Sequence, residues 1–293
     1  MWRGTWRSWS RFSSRSMREG TRVQGAASNE VPPADVAAAL AARRDLDWVR
    51  LVYRAEVGST NDVAAALASS GAPDGMTVLA GRQTAGRGRR GRTWHSPRGA
   101  GLYLSAVLRG PQSPLLTLLA GVAAAEAVRA AVGLAADLKW PNDVVLAAPG
   151  GARASRPRKV AGILTERLPA DAGEGAVLGI GINVRRGAYP PELEEQAVAL
   201  EEAAGRAVDR GPLLAGVLAG IRRWKDVVAA GGSARLLDRW RQLSPSATGA
   251  RVSWEGPRTR RDGRTAGIAD DGALLVDCRG RTERIVGGEV RWG

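Results

Sequence analysis

The chain has 293 residues, 44% of them hydrophobic and 25% charged, enough to bury a sizeable core in one large domain with a smaller appendage. That composition excludes a wholly disordered chain, and a single cysteine, Cys278, excludes an intramolecular disulfide framework and gives no support to a zinc site. The net charge of +14 comes from 43 Lys and Arg, of which only Lys139, Lys159 and Lys225 are Lys. With 38 Gly, one His and four Asn, the skew reads as a coding bias toward Ala, Gly and Arg. Lys139, Lys159, Asn61, Asn142 and Asn183 stand against that bias, and all five fall inside the motifs below.

Residues 1–33 form a low-complexity tail in which Arg3, Arg7, Arg11, Arg15, Arg18 and Arg22 recur every three or four residues. No acid precedes Glu19, a pattern an organellar transit peptide also shows. The preferred reading is upstream sequence from a start placed too early, with Met17 the true start. Removing 1–16 takes away four Arg and lowers the charge from +14 to +10. The tail has no core-forming pattern.

A short helix is expected over 34–44, a strand over 53–57, and a helix from Ser59 or Thr60 through Ala68. Pro73-Asp74-Gly75 marks a turn before a strand at 76–81. A Gly- and Arg-rich loop fills 84–101, followed by a strand at 102–108 and a mostly apolar helix at 115–132. Glu126, Arg129 and several small residues make that helix buried rather than membrane-spanning. Strands follow at 137–140, 144–147, 160–166 and 177–184, with a surface insert at 149–158. Two helices are expected between Pro212 and Leu243. After Pro245 come short strands at 252–254, 265–268, 273–277 and 283–286, with Asp270-Asp271-Gly272 as a hairpin turn. Their close spacing predicts a small separate β-barrel. The expected units are a tail at 1–33, a catalytic domain at 34–244 and a barrel at 245–293.

Five stretches carry chemistry. In Gly86-Arg87-Gly88-Arg89-Arg90-Gly91-Arg92, three glycines let the backbone approach a ligand and four arginines offer forked donors for phosphate or carboxylate oxygens. A nucleic-acid arm is the competing reading, but this loop lies between two strands and runs into Trp94. Ser59-Thr60-Asn61 on its own reads as a helix N-cap. Lys139-Trp140-Pro141-Asn142-Asp143 can present both charges to one cleft, where an Asp could meet a metal–phosphate complex, or it is a strand-ending turn. Lys159, entering the apolar run Val160 to Leu164, suits an anion contact, with Gly162 allowing close approach; alternatively its amine reaches solvent. Gly179-Ile180-Gly181-Ile182-Asn183 lacks the third glycine and the helix of a dinucleotide fingerprint, and Asn183 needs a hydrogen bond if buried. With His95 as the only His, no Ser–His–Asp or Cys–His arrangement is available.

In this order and spacing, VGSTN (57–61), GRQTAGRGRRGRTWHSPRGAGLYLS (81–105), KWPNDV (139–144), KVAGIL (159–164) and GIGINV (179–184) closely resemble the biotin–protein ligases. GGEV (287–290) resembles the end of that family's C-terminal domain. The resemblance implies an α+β, class II aminoacyl-tRNA-synthetase-like catalytic domain with a mixed sheet, followed by a small SH3-like β-barrel. It implies attack of the biotin carboxylate on the α-phosphate of MgATP, then transfer of biotin from biotinoyl-5′-AMP to a lysine of a biotin carboxyl carrier domain. By the same resemblance, Ser59, Thr60, Asn61 and Gln83 line the biotin head-group pocket. Arg87, Gly88 and Arg89 close over the carboxylate and phosphate, Lys159 neutralises charge there, and Gly162 gives room beside it. Arg92, Trp94, Asn142, Asp143 and Asn183 serve the nucleotide side, with Lys159, Arg89 and Asp143 as the catalytic group. Metal ligands stay unassigned.

Some members carry an N-terminal helix-turn-helix. With about 50 residues ahead of the motifs, mostly tail, the expectation is a ligase without DNA repression. No membrane association is expected, a homodimer stays open, and the absence of a signal peptide with a free cysteine points to the cytoplasm. The alternatives are a related lipoate or octanoate ligase or transferase, and a basic nucleic-acid-binding protein.

Overall fold

The computed structural model describes residues 30–111, 113–147, 157–255 and 259–293. Residues 1–29 of the expected tail and 149–156 of the expected insert lie outside the described residues. The chain opens with helix α1 (Ala34–Ala41) and strand β1 (Arg50–Arg54), which precedes the expected position of 53–57. The difference has a pairing cause. β1 runs parallel to β2 (Met76–Ala80), with Arg50 opposite Met76 and Arg54 opposite Ala80, so both strands end together. Beyond that, only an isolated bridge joins Val57 to Gln83 before helix α2 (Thr60–Ser69).

Strand β3 (Gly101–Arg109), helix α3 (Leu116–Val132), and strands β4 (Ala136–Lys139), β5 (Asp143–Leu146), β6 (Arg158–Arg167) and β7 (Gly175–Asn183) follow. The seven strands form one mixed sheet in the order β1-β2-β3-β7-β6-β5-β4, antiparallel except for the β1–β2 pair. A short helix α4 (Leu200–Ala204), which the sequence pattern did not announce, precedes α5 (Arg210–Ala229) and α6 (Ser233–Gln242).

Side-chain alternation divides the sheet into two unlike faces. Leu102, Leu104, Ala106 and Leu108 of β3 and Leu178, Ile180 and Ile182 of β7 belong to one large cluster with the buried residues of α3 and α5. Small residues set the spacing of those helices: a Cβ at Gly220 would sit 2.9 Å from the Ala123 Cβ. On the opposite face Val78, Val107 and Val177 pack with Ala64 and Ala68 of α2. Two residues further along the same strands come Ser105 and Gly179, where apolar packing gives way to polar side chains and bare backbone.

Polar contacts fix the layers. Arg109, at the end of β3, donates to the carbonyls of Ala68, Ala72 and Ala172 and so secures the C-terminal end of α2. Glu126 on α3 accepts from Arg223 and the Trp224 indole of α5 and from Arg239 of α6.

Strands β8 (Thr248–Glu255), β9 (Arg260–Ile268), β10 (Leu274–Cys278), β11 (Arg281–Ile285) and β12 (Val290–Trp292) form a second, antiparallel sheet in the order β11-β10-β9-β8-β12. Val252, Trp254, Ile268, Leu274, Val276 and Ile285 share the main core cluster, so the barrel's interior is continuous with the larger unit. The Trp140 indole donates to Gly272 O and Arg241 to Ile268 O, each at 3.0 Å, across this junction.

Replacing Glu126 by Ala strands the Trp224 indole and two guanidinium groups. It should cost about 1–3 kcal/mol of stability, read as a lower denaturant midpoint at unchanged slope.

Candidate active site

The polar face of the sheet opens into a cleft of about 580 Å³. All fourteen residues expected from the sequence line it: Ser59, Thr60, Asn61, Gln83, Arg87, Gly88, Arg89, Arg92, Trp94, Asn142, Asp143, Lys159, Gly162 and Asn183. Its size is that of a small-molecule site.

The floor is built from the start of α2. Ser59 occupies the N-cap position with extended backbone, yet its side chain makes no capping bond. The capping role passes to Gln83, whose Oε1 accepts from the Thr60 N–H at 2.8 Å and from Thr60 Oγ1 at 3.0 Å. The plain N-cap reading of Ser59-Thr60-Asn61 is therefore replaced by a cross-chain cap that leaves the Ser59 hydroxyl to the cleft. Gln83 Nε2 donates to Ser96 Oγ at 2.9 Å, and Ser96 Oγ to Trp94 O at 3.1 Å, so the chain of bonds ends on the exit of the arginine–glycine loop. The amide orientations of Gln83 and Asn61 follow from these networks.

Asn61 is buried, and its amide is satisfied on both sides. Nδ2 donates to Glu166 Oε2 at 2.6 Å and Leu164 O at 3.4 Å, while Oδ1 lies 2.6 Å from Ser105 Oγ. Gly179 makes this fit possible, since a Cβ there would run into Asn61 Oδ1.

Trp94 lies across β6 and β7 on two glycines that face each other in the ladder, Gly162 and Gly181. A Cβ at Gly181 would collide with the indole nitrogen, and one at Gly162 would sit 3.0 Å from both Trp94 and the Lys159 Cε. This explains the GxG of β7 without a dinucleotide. The Trp94 indole N–H is buried with no partner in the structure.

Charge gathers at one end. Lys159 Nζ stands 5.2 Å from the Trp94 ring centre and 2.6 Å from Asp143 Oδ1, an ion pair without hydrogen-bond alignment. Asp143 opens β5 and is opposite Gly162. Asn142 is pinned by Nδ2 to Ile163 O and by its carbonyl to the Ile163 N–H, each at 2.9 Å. Arg89 reaches Asn142 Oδ1 at 3.4 Å, and burial pulls its guanidinium below the ordinary arginine value, against the opposing pull of Asp143. Arg90 adopts left-handed backbone, φ 59°, in the tight turn that presents Arg89.

Two of the expected anion-binding arginines are turned toward acids of the chain itself. Arg87 Nη1 lies 2.6 Å from both oxygens of Asp62, and Nη2 donates to Glu166 at 3.0 and 3.3 Å. The Asp62 contact, above all, raises its guanidinium above the ordinary value. Arg92 pairs with Glu289 of the barrel, whose carboxyl it holds below the usual range. Asn183 is buried at the end of β7 with a long 3.5 Å bond to Val198 O.

Residues 54–183 match the Biotin/lipoate A/B protein ligase family. The chain is 33% identical over 252 residues to the bifunctional ligase/repressor BirA of Bacillus spizizenii, covering 83% of this chain and 74% of that protein. It is 35% identical to the biotin–[acetyl-CoA-carboxylase] ligase of Mycobacterium tuberculosis over 83% of this chain and 89% of the other. The chain belongs to the biotin–protein ligase family. The solved biotin protein ligase from Aquifex aeolicus, in complex with biotin and ATP, superposes with a TM-score of 0.70 at 29% identity, covering 83% of this chain and 98% of that one. The expected synthetase-like α+β fold and SH3-like barrel are borne out.

Several lining or supporting residues received no role from the sequence: Ser96, Ser105 and Glu166 in the floor network, Gln196 beside Lys159, Tyr189 in the cleft wall, and Gly288 to Trp292 of the barrel. The backbone around Gln196 is laced to Lys159, with Lys159 N–H donating to Gln196 O at 2.7 Å and Val198 N–H to Lys159 O at 2.9 Å. Tyr189 donates its phenol to Glu202 at 2.5 Å, and burial, with that carboxylate, pushes its pKa up to about 12.

Gly181→Ala forces the Trp94 ring off its seat and should cost about 1–3 kcal/mol by overpacking. A melting temperature equal to that of the wild type would show that the ring has another place to go.

Proposed function

We propose that the chain activates biotin with ATP as biotinoyl-5′-AMP and transfers the biotinoyl group to a lysine of a biotin carboxyl carrier domain. The observation that carries this reading is one cleft in which Lys159, Asp143 and Arg89 flank a polar floor of Ser59, Thr60 and Gln83. A small polar ring system can be bound at the floor while its carboxylate faces the cations.

In the first step a biotin carboxylate oxygen attacks the α-phosphorus, the bond to the bridging oxygen breaks, and diphosphate leaves with the electron pair. Lys159 and Arg89 face the negative charge that builds on the α-phosphate oxygens. In the second step the neutral amine of the carrier lysine attacks the acyl carbon, AMP departs, and the amine's extra proton passes to solvent. The nucleophile belongs to the carrier. Trp94, Asn142, Asn183 and Arg92 form the nucleotide side in this reading.

Mg²⁺ fits as a companion of the phosphates, where it would offset their charge. Among the described residues no group of three His, Cys, Asp or Glu side chains is placed to hold a metal, and of the carboxylates lining the cleft Asp143 stands beside Lys159. Mg²⁺ generally needs only one or two carboxylates when phosphates complete its shell. No helix of the described residues is long and apolar enough to cross a membrane. The likeness to bacterial ligases is what supports placing the reaction in the cytoplasm.

Diphosphate release from ATP should require biotin and should not respond to lipoate or octanoate. Turnover indifferent to biotin refutes the reading, and a preference for the other acids moves the protein to the lipoate branch. Salt-sensitive nucleic-acid binding with no response to biotin would favour the basic-protein alternative. Lys159→Ala should slow adenylate formation by roughly 10²–10³-fold, the size expected for losing one preorganised donor at developing charge. Single-turnover formation of biotinoyl-AMP checks it, and a wild-type rate removes Lys159 from the step.

A further inference from the structure

Glu166 lies on β6, outside every stretch that the sequence motifs single out, and it joins two parts of the site that are far apart in the chain. One oxygen, Oε2, accepts from the buried Asn61 amide at 2.6 Å and from Arg87 Nη2 at 3.0 Å, while Oε1 lies 3.3 Å from the same Arg87 nitrogen. Asp62, the residue after Asn61, takes the other arm of Arg87 with both oxygens at 2.6 Å. The guanidinium therefore spends both terminal nitrogens on the chain's own carboxylates.

Two consequences follow from donor and acceptor chemistry. Asn61 must turn Nδ2 toward Glu166 and Leu164 O, both pure acceptors, which leaves Oδ1 to Ser105. Arg87 fixes where the arginine–glycine loop leaves the floor, three residues ahead of Arg90, whose left-handed backbone sets the turn that presents Arg89. A loop whose first arginine is tied at both ends costs less to order when ligand arrives.

We infer that Glu166 is a positioning residue for adenylate retention: it holds the arginine–glycine loop down through Arg87 and sets the Asn61 amide, while the Arg87 side chain acts as a latch rather than as an anion contact. The inference rests on the ligase reading for its functional half and on the unliganded chain alone for its structural half. The half-exposed ion pairs contribute little to global stability, so their loss should leave the melting temperature near that of the wild type.

The experiment has two readouts. In the unliganded protein, limited trypsin digestion followed by mass spectrometry reports cuts after Arg89, Arg90 and Arg92. Glu166→Gln, nearly isosteric, should speed those cuts about tenfold, the scale of one hydrogen bond to a charged group. Asp226→Asn removes an acid from an exposed pair with Arg222 on α5 and should leave the cutting rate at the wild-type value. The second readout is the lifetime of biotinoyl-AMP formed on the enzyme. Glu166→Gln should shorten it by a similar factor, and the double variant with Arg87→Gln should fall short of the product of the two single effects. Full multiplicativity would mean that Arg87 reaches the ligand independently and would overturn the latch. Wild-type cutting in Glu166→Gln would overturn it without any ligand. If the wild type makes no biotinoyl-AMP, the ligase reading fails while the digestion result still decides the latch.

Discussion

A bare strip of sheet governs the site. Gly162, Gly179 and Gly181 remove side chains from one face of β6 and β7, and Trp94, Asn61 and Lys159 come down onto the exposed backbone. Ordinary strand residues would fill that space, as Val107 and Val177 do one step along the same face under α2. The transition from valine to glycine marks where packing stops and binding starts. Everything else in the cleft is arranged around that strip: the cross-chain cap by Gln83, the Lys159–Asp143 pair opposite Gly162, and the loop that carries Trp94 across the strands.

Most of the catalytic unit was legible because its signals are local. The runs that became β2, β3, α3 and β7 have uniform apolar faces, and the motif glycines and cations sit at the ends of those elements. What escaped was long-range. Asn61 and Glu166 are 105 residues apart, and Gln83 and Ser96 contact through a loop with no periodicity. β1 was misplaced because an edge strand is limited by its partner's length more than by its own composition. The GGEV stretch was recognised by resemblance, but that it leads into strand β12 and that Glu289 meets Arg92 depend on how the barrel docks.

The net charge of +14 invited a nucleic-acid reading, yet many of the arginines serve the fold. Arg109 holds helix carbonyls, Arg129 pairs with Asp137, Arg239 and Arg223 converge on Glu126, and Arg241 reaches across to the barrel at Ile268 O. A guanidinium with five donors in a rigid fork is suited to bridging elements in this way. Formal charge thus overstates how much cationic surface is available to a polyanion.

The scarcity of lysine has a chemical corollary. An acyl-adenylate is an electrophile that any neutral amine can consume, and a guanidinium does not compete at physiological pH. Among 293 residues this chain offers only three side-chain amines. Lys159 is paired with Asp143, Lys225 with Asp74, and Lys139 stands over the Trp292 ring. Whatever its genomic origin, a surface written in arginine presents few amines for the enzyme to acylate on itself, and it leaves the reactive intermediate for an amine that arrives on another protein.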